Sequence, residues 1–371
     1  MNRSPLLELH ASAGARIQSQ SEPPILLTYG DVPGEYRAAQ DGAVLFDATT
    51  RGRLSLRGAD AVMFLHRILA NDVRALGGGQ GQRNLLLSSK GKILHELDLF
   101  RGAAVMPDEE LWISTPPGAA AALAKALDGY LFSEKVLVAD TSDDHAPLEI
   151  AGPRTDAIVR AVVGVDVAPS DHAWSRAPFA TGHAVSARVA VAGSTGVRID
   201  AGRELAPLLW SRLREAGAQP AGRIVHDSLR VEACAAEFGV DVDENVYPQE
   251  ARWESAFSLS KGCYVGQEVV AKIDTYGGLN KRLVALKISH DDPVARGTRL
   301  YRDDDGEWRD LGVVSSWAYS FALDSGLVLG YVKRRHQAIG TLFRVGESDA
   351  TATIVSVPAR VNALAVTGEF E

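Results

Sequence analysis

Lys261-Gly262-Cys263-Tyr264-Val265-Gly266-Gln267-Glu268, preceded by Leu229-Arg230-Val231-Glu232-Ala233, holds the two irregularities on which the reading of this chain turns. Two glycines four residues apart flank a cysteine and a tyrosine and permit a tight backbone path. Val269 and Val270 then return to an apolar run. A thiol beside Lys261, and near a helix N-terminus, tends toward thiolate and is reactive, whereas one buried in apolar surroundings is inert. The octapeptide is compatible with both. Upstream, the periodicity predicts a helix over 222–236. At about 100° per residue, Val225, Leu229, Glu232 and Ala236 fall in one narrow stripe. A carboxylate in an apolar stripe must find partners or bear a desolvation cost. Buried amides or an arginine would satisfy Glu232, and so would hydrogen bonds from a bound heterocycle. Arg230 points away from the stripe, where a surface salt bridge suits it.

Outward from these passages the chain divides into three textures. Gly42–Phe46 and Leu54–Arg57 read as strands, and Val62, Leu65 and Leu69 recur with helical spacing behind a candidate cap, Asp60. Leu85–Leu87 and Lys92–Arg101 form a hairpin around Gly91, with a solvated Lys90-Gly91-Lys92 tip. A strand at Leu111–Ser114, an alanine-rich helix at Ala119–Leu127 and a strand at Lys135–Ala139 complete a β-α-β-β-α-β order of ferredoxin-like type. A second unit of similar type begins at Leu148. Beyond residue 280 short β-rich runs alternate with turns, as in a barrel or jelly roll. Asp303-Asp304-Asp305-Gly306 lacks calcium-loop spacing and reads as a hairpin turn, expected at the surface. Gly77-Gly78-Gly79-Gln80-Gly81 lacks the spacing and context of a dinucleotide loop.

The chain has 371 residues, enough for two to three domains, with 46% hydrophobic and 23% charged residues. Its 39 basic against 47 acidic side chains give −8, the wrong balance for a general nucleic-acid binder. Cys234 and Cys263 are the two cysteines. They form no disulfide framework and cannot supply the four ligands an iron–sulfur cluster usually takes. No metal site is expected. No run approaches a membrane span, and residues 1–20 lack a signal-peptide core, so a cytoplasmic protein is expected.

Taken together, Leu229–Ala233, Phe238-Gly239-Val240-Asp241, Asp243-Glu244-Asn245, Pro248-Gln249-Glu250-Ala251 and Lys261–Glu268 resemble the signature of the YgfZ-type folate-binding proteins. That family lies within the superfamily of the glycine cleavage T-protein, an aminomethyltransferase. Gly42–Asp47, Phe64-Leu65, Asn71-Asp72-Val73 and the Lys90–Lys92 hairpin also fit, so the resemblance runs from about residue 30 to 360. It implies an α+β fold of three domains in a cloverleaf ring around a central channel holding tetrahydrofolate. The domains are expected at 30–145, 146–280 and 281–360, with terminal extensions at 1–29 and 361–371.

T-proteins carry an Asp pair on the strand after their glycine-rich hairpin, where this chain has His95-Glu96. They carry a pterin-contacting Glu where it has Thr195-Gly196-Val197-Arg198, and an Arg where it has Val225-His226-Asp227. The cysteine octapeptide is foreign to them. Conversely, Cys234 departs from the YgfZ pattern, which has glycine there. The resemblance therefore implies a tetrahydrofolate-dependent accessory protein for assembly or repair of iron–sulfur enzymes, linked indirectly to tRNA modification. The alternative is aminomethyl or another one-carbon transfer. Cys263 is the expected reactive thiol and Lys261 its supporting cation. Gly262, Tyr264, Gly266, Gln267 and Glu268 shape the motif. Glu232, Glu250, Arg230, Tyr264 and Glu96 are the candidate folate contacts. Expected partners are folate and iron–sulfur client or assembly proteins, without direct DNA, RNA or membrane contact.

Overall fold

The computed structural model describes residues 3–102, 111–304 and 307–358. Two large antiparallel-dominated sheets and a closed barrel carry the helices, beside a two-stranded ribbon of Arg16–Gln18 and Ile25–Thr28. The first sheet orders its strands Gly81–Leu87, Ile93–Arg101, Leu111–Pro117, Arg51–Arg57, Leu137–Asp140. Four of these reproduce the ferredoxin-like order, and Gly81–Leu87 is one strand more, on the edge. Apolar residues at alternate positions, such as Leu54 and Leu56 or Leu97 and Leu99, face one side and bury Phe64, Leu65 and Leu123 of two covering helices. The expected cap at Asp60 is absent. Its carboxylate instead accepts from the Lys135 amide at 2.7 Å.

The second sheet runs Trp174–Phe179, Gly182–Val191, Ser194–Asp200, Leu148–Ala151, Val44–Asp47, Gln219–Pro220. Here the structure corrects the division at 145/146. Val44–Asp47 lies antiparallel to Leu148–Ala151 and parallel to Gln219–Pro220, wedged inside the second unit. Its Val44, Leu45 and Phe46 are buried, so only a central position satisfies both faces. Residues 3–29 are likewise no appendage. Leu6 is in the second unit's core, and His10 bonds Asp47 at 2.9 Å and Tyr29 at 2.8 Å. Helix α1 (Val32–Asp41) contributes Glu35, which accepts from Thr28, Tyr29 and the Gly222 amide.

Helix α2 (Ala61–Ile68) covers the first sheet, and helix α3 (Arg223–Glu232) lies on the barrel strand Glu307–Ser320. Helix α3 stops four residues before the expected end. Cys234 takes φ +53°, with Cys234 N–H on Val231 O and Ala235 N–H on Arg230 O, a left-handed C-terminal cap. Helix α4 (Gln267–Tyr276) begins within the octapeptide, at its last two residues. The last six strands close into a barrel rather than a jelly roll. The Asp305-Gly306 turn and the 361–371 extension lie outside the described residues. No helix among the described residues is long and apolar enough to cross a membrane.

Candidate functional site

Two places concentrate chemistry. The first is the octapeptide loop. Lys261 is buried, and its Nζ donates to the carbonyls of His66 and Leu69, each at 2.5 Å. Burial pushes this ammonium down to about 8, with Asp72 opposing. Tyr264 is also buried, its ring 5.0 Å from Lys261 Nζ. Burial raises its phenol to about 12, and the hydroxyl has no hydrogen-bond partner among the described residues. It is a core residue here, not a surface for stacking. Cys263 is exposed and opens on a cleft of about 440 Å³ walled by Met63, Phe64, His66 and Arg67 of α2 and by Glu134. Cys234 is buried, and burial pushes its thiol up to about 11.

At the loop's far end Gly266 takes φ +80°. A Cβ there would stand 2.4 Å from Ser88 O and 3.0 Å from Gly91 Cα. The hairpin tip is therefore docked at Gly91 and Lys92, while Lys90 stays exposed as expected. Lys92 Nζ donates to Asn245 O at 2.8 Å and sits 3.2 Å from the Tyr247 ring centre. Gln267 donates its amide to Tyr264 O, and Glu268 is an exposed partner of Lys272 at 2.6 Å.

The expected carboxylate anchors are engaged by the protein itself. Glu232 Oε2 accepts from Tyr36 at 2.8 Å, and Oε1 accepts from Ser320 at 2.7 Å and the Ala322 amide at 3.1 Å. Glu250 Oε2 accepts from the Tyr247 amide, with Lys92 Nζ at 3.8 Å. Arg230 is 4% exposed, not on the surface. It bonds Asp227, Asp241 and Ser316. Glu96 pairs with Arg83 at 2.5 Å, whose guanidinium lies 4.0 Å over Trp253. His226, Asp227 and Glu237 come within 4.8 Å of one another, but Arg223 and Arg230 already hold both carboxylates.

The second place was missed from the sequence: the layer between the two sheets. Arg198 donates to Asp98 at 2.8 Å and Glu149 at 2.9 Å, with Arg51 3.6 Å from Asp98. His172 Nε2 lies 3.0 Å from Asp98 and its Nδ1 3.0 Å from Asp171. Burial works against the charge on His172, but the two carboxylates outweigh it and hold it up at about 9. Burial likewise opposes the Asp98 charge, yet Arg198, His172 and Arg51 keep it well below the ordinary carboxylate range. Beside this network a narrow cleft of about 30 Å³ is lined by Arg51, Arg53, Trp112, His145, Arg198 and Asp200. Arg53 lies 4.9 Å over the Trp112 ring, and His145 bonds Asp200 at 2.6 Å. Charges two apart on strands (Arg51/Arg53, Glu96/Asp98, Arg198/Asp200) were the available signal, because period two puts each pair on one face.

Residues 6–261 match the GCVT N-terminal domain family, and residues 281–360 match the glycine cleavage T-protein C-terminal barrel domain. An aminomethyltransferase of Rubrobacter xylanophilus is 30% identical over 367 residues, covering 96% of this chain and 94% of its own. One of Desulfitobacterium hafniense (strain Y51) is 26% identical over 356 residues, covering 92% of each. The crystal structure of glycine cleavage system aminomethyltransferase T from Bartonella henselae is similar with a TM-score of 0.83, at 25% identity over 96% of this chain and 97% of that one.

Proposed function

We propose, from the premise that this chain belongs to the glycine cleavage T-protein family, that it is a reduced-folate-binding protein whose working group is the Cys263 thiol, serving the upkeep of iron–sulfur enzymes. The observation that carries this reading is the exposed Cys263 on a loop anchored at both ends, opening on a cleft. The iron–sulfur role itself is supported by the octapeptide's resemblance to the YgfZ-type proteins.

The residues present fit tetrahydrofolate unevenly. Glu232 does not fit as a free anchor, since protein donors occupy both its oxygens, and Glu250 is engaged through Oε2. The cleft between the sheets carries the right types of group, two arginines and an aromatic ring, but each already has protein partners: Arg51 lies 3.6 Å from Asp98, Arg53 3.7 Å from Asp200, and the Trp112 ring stacks on Phe100. A folate tail would have to displace those contacts to bind there. The cleft's 30 Å³ admits a water or two, so a pterin enters only when the facing sheets part. When bound, the folate supplies a carrier for one-carbon groups. The chain's part is to bind its anionic end through arginine and to hold the ring out of water.

The names of the relatives favour a second reading, aminomethyl transfer, and weigh more for it than any comparison weighs for an iron–sulfur role. Against it stand His95 and Glu96 where the resemblance implies an Asp pair, with Glu96 tied to Arg83. Three measurements on one set of variants decide. Calorimetry with tetrahydrofolate should show binding that weakens about tenfold or more in Arg53→Met. Cys263→Ser should bind folate normally yet fail to sustain iron–sulfur enzyme activity in cells. The purified protein should release no methylene-tetrahydrofolate from an aminomethyl-lipoyl carrier. Turnover in that last assay, with Cys263→Ser fully active in cells, would establish the transferase instead.

A further inference from the structure

We infer that Lys261 is a positioning residue: its ammonium ties the thiol loop to the end of α2, so that it sets where Cys263 stands in the cleft and not how readily the thiol ionises. This rests on Cys263 being the working thiol.

Helix α2 ends without the glycine that usually closes a helix. Leu69 turns extended, with ψ 155°, and leaves last-turn carbonyls without intrahelical partners. Lys261 reaches them from 192 and 195 residues away and donates to both. A cation at that end also opposes the helix dipole. Two of its three donors are thereby used, and its charge sits among carbonyl oxygens and against the Tyr264 ring. Lys261 is 6% exposed and Cys263 is exposed on the same cleft, and the contacts made by the ammonium are to two carbonyls and a ring rather than to the thiol. The backbone of the same residue is fixed too, since its amide donates to Ser258 Oγ at 3.2 Å.

The helix held in this way is the wall of the cleft: Met63, Phe64, His66 and Arg67 all belong to α2. At the other end, Gly266 is locked against Ser88 and Gly91. Tyr264 is itself packed in the core, so Gly262 and Cys263 span the short stretch between Lys261 and Tyr264, and the thiol is carried between those two fixed points. Loss of the Lys261 bonds frees one end and lets the loop drift from the wall.

The test is alkylation of the full-length protein with iodoacetamide and with a bulky maleimide from pH 6 to 10, alongside amide exchange of residues 66–70 and 261–266. In Lys261→Met the pH midpoint of Cys263 alkylation should stay within about 0.3 units of wild type. Exchange over both segments should rise about tenfold, and the ratio of maleimide to iodoacetamide rates should change about threefold as the wall ceases to shape approach. Lys261→Arg should restore the ratio. A midpoint raised by about one unit with exchange unchanged would make Lys261 an electrostatic activator and overturn the proposal. So would a variant with unaltered exchange and ratio. Should Lys261→Met not fold, Lys261→Gln removes the charge with a donor retained and is read by the same criteria. None of these readouts depends on the cellular role of the thiol, which Cys263→Ser tests separately.

Discussion

His172 is held in a left-handed conformation, φ 55°, with the buried Asp98 bonded at Nε2 and the exposed Asp171 3.0 Å from Nδ1. Strain of that kind persists only where surrounding contacts over-determine it. Its pKa near 9 lies above the ordinary imidazole value of 6.5. The protonated form is therefore favoured by folding, and its stabilisation is complete below about pH 6.5 and lost as pH rises through about 9. Asp171 is exposed and its share of the shift is screened by water, so the stabilisation, carried chiefly by Asp98, is about 1–2 kcal/mol. Urea unfolding should show wild type losing that amount between pH 6 and 9.5, and His172→Gln losing little over the same interval. Glu232 makes the complementary case. Its donors are protein groups, so Glu232→Gln should lower unfolding free energy by about 1–2 kcal/mol and leave tetrahydrofolate affinity by calorimetry unchanged. The apolar stripe showed that Glu232 needed partners. Which partners it found was not legible, because Tyr36 and Ser320 arrive from 196 and 88 residues away. For the same reason Arg230 read as a surface cation: Asp227 is on its own helix, but the acceptors that bury it, Asp241 and Ser316, come from a turn and a barrel strand beyond it.

Periodicity served best where elements are long and closed on themselves. The helical repeat of Val62, Leu65 and Leu69, the Gly91 hairpin and the β-rich tail all translate into α2, the first sheet's edge and the barrel. It failed at ends. Helix α3 stops at Glu232 because Cys234 adopts the conformation glycine usually supplies, and no local pattern announces a cysteine in that role. The octapeptide's glycines were legible as a tight path, but not that Gly266 lies against the hairpin tip. That contact makes a direct prediction. Gly266→Ala meets both an unfavourable φ of +80° and the Ser88 carbonyl, so it should cost about 1–3 kcal/mol by thermal unfolding. Gly262, at φ +101° with nothing near its missing Cβ, should lose less on the same change.

Between the two sheets lies a layer of charges, Asp98 and Glu149 against Arg51, Arg198 and His172. Such a layer costs desolvation and adds little net stability, but removing one partner strands the rest. Arg198→Met should accordingly destabilise more than Arg198→Met combined with Asp98→Leu, a comparison that denaturant titration can make. The arrangement of the strand Val44–Asp47 has a consequence of another kind. On a ribosome it is made about a hundred residues before Leu148–Ala151, and still longer before Gln219–Pro220. Until then, its Val44, Leu45 and Phe46 emerge with no neighbour to cover either edge. The first ferredoxin-like sheet can close while this segment waits, a span in which a nascent chain is open to aggregation or in need of a chaperone. A chain released after residue 145 should therefore be rescued by deleting 3–48, and a circular permutant that begins at residue 49 and ends with 3–48 should fold with less dependence on chaperones than the natural order.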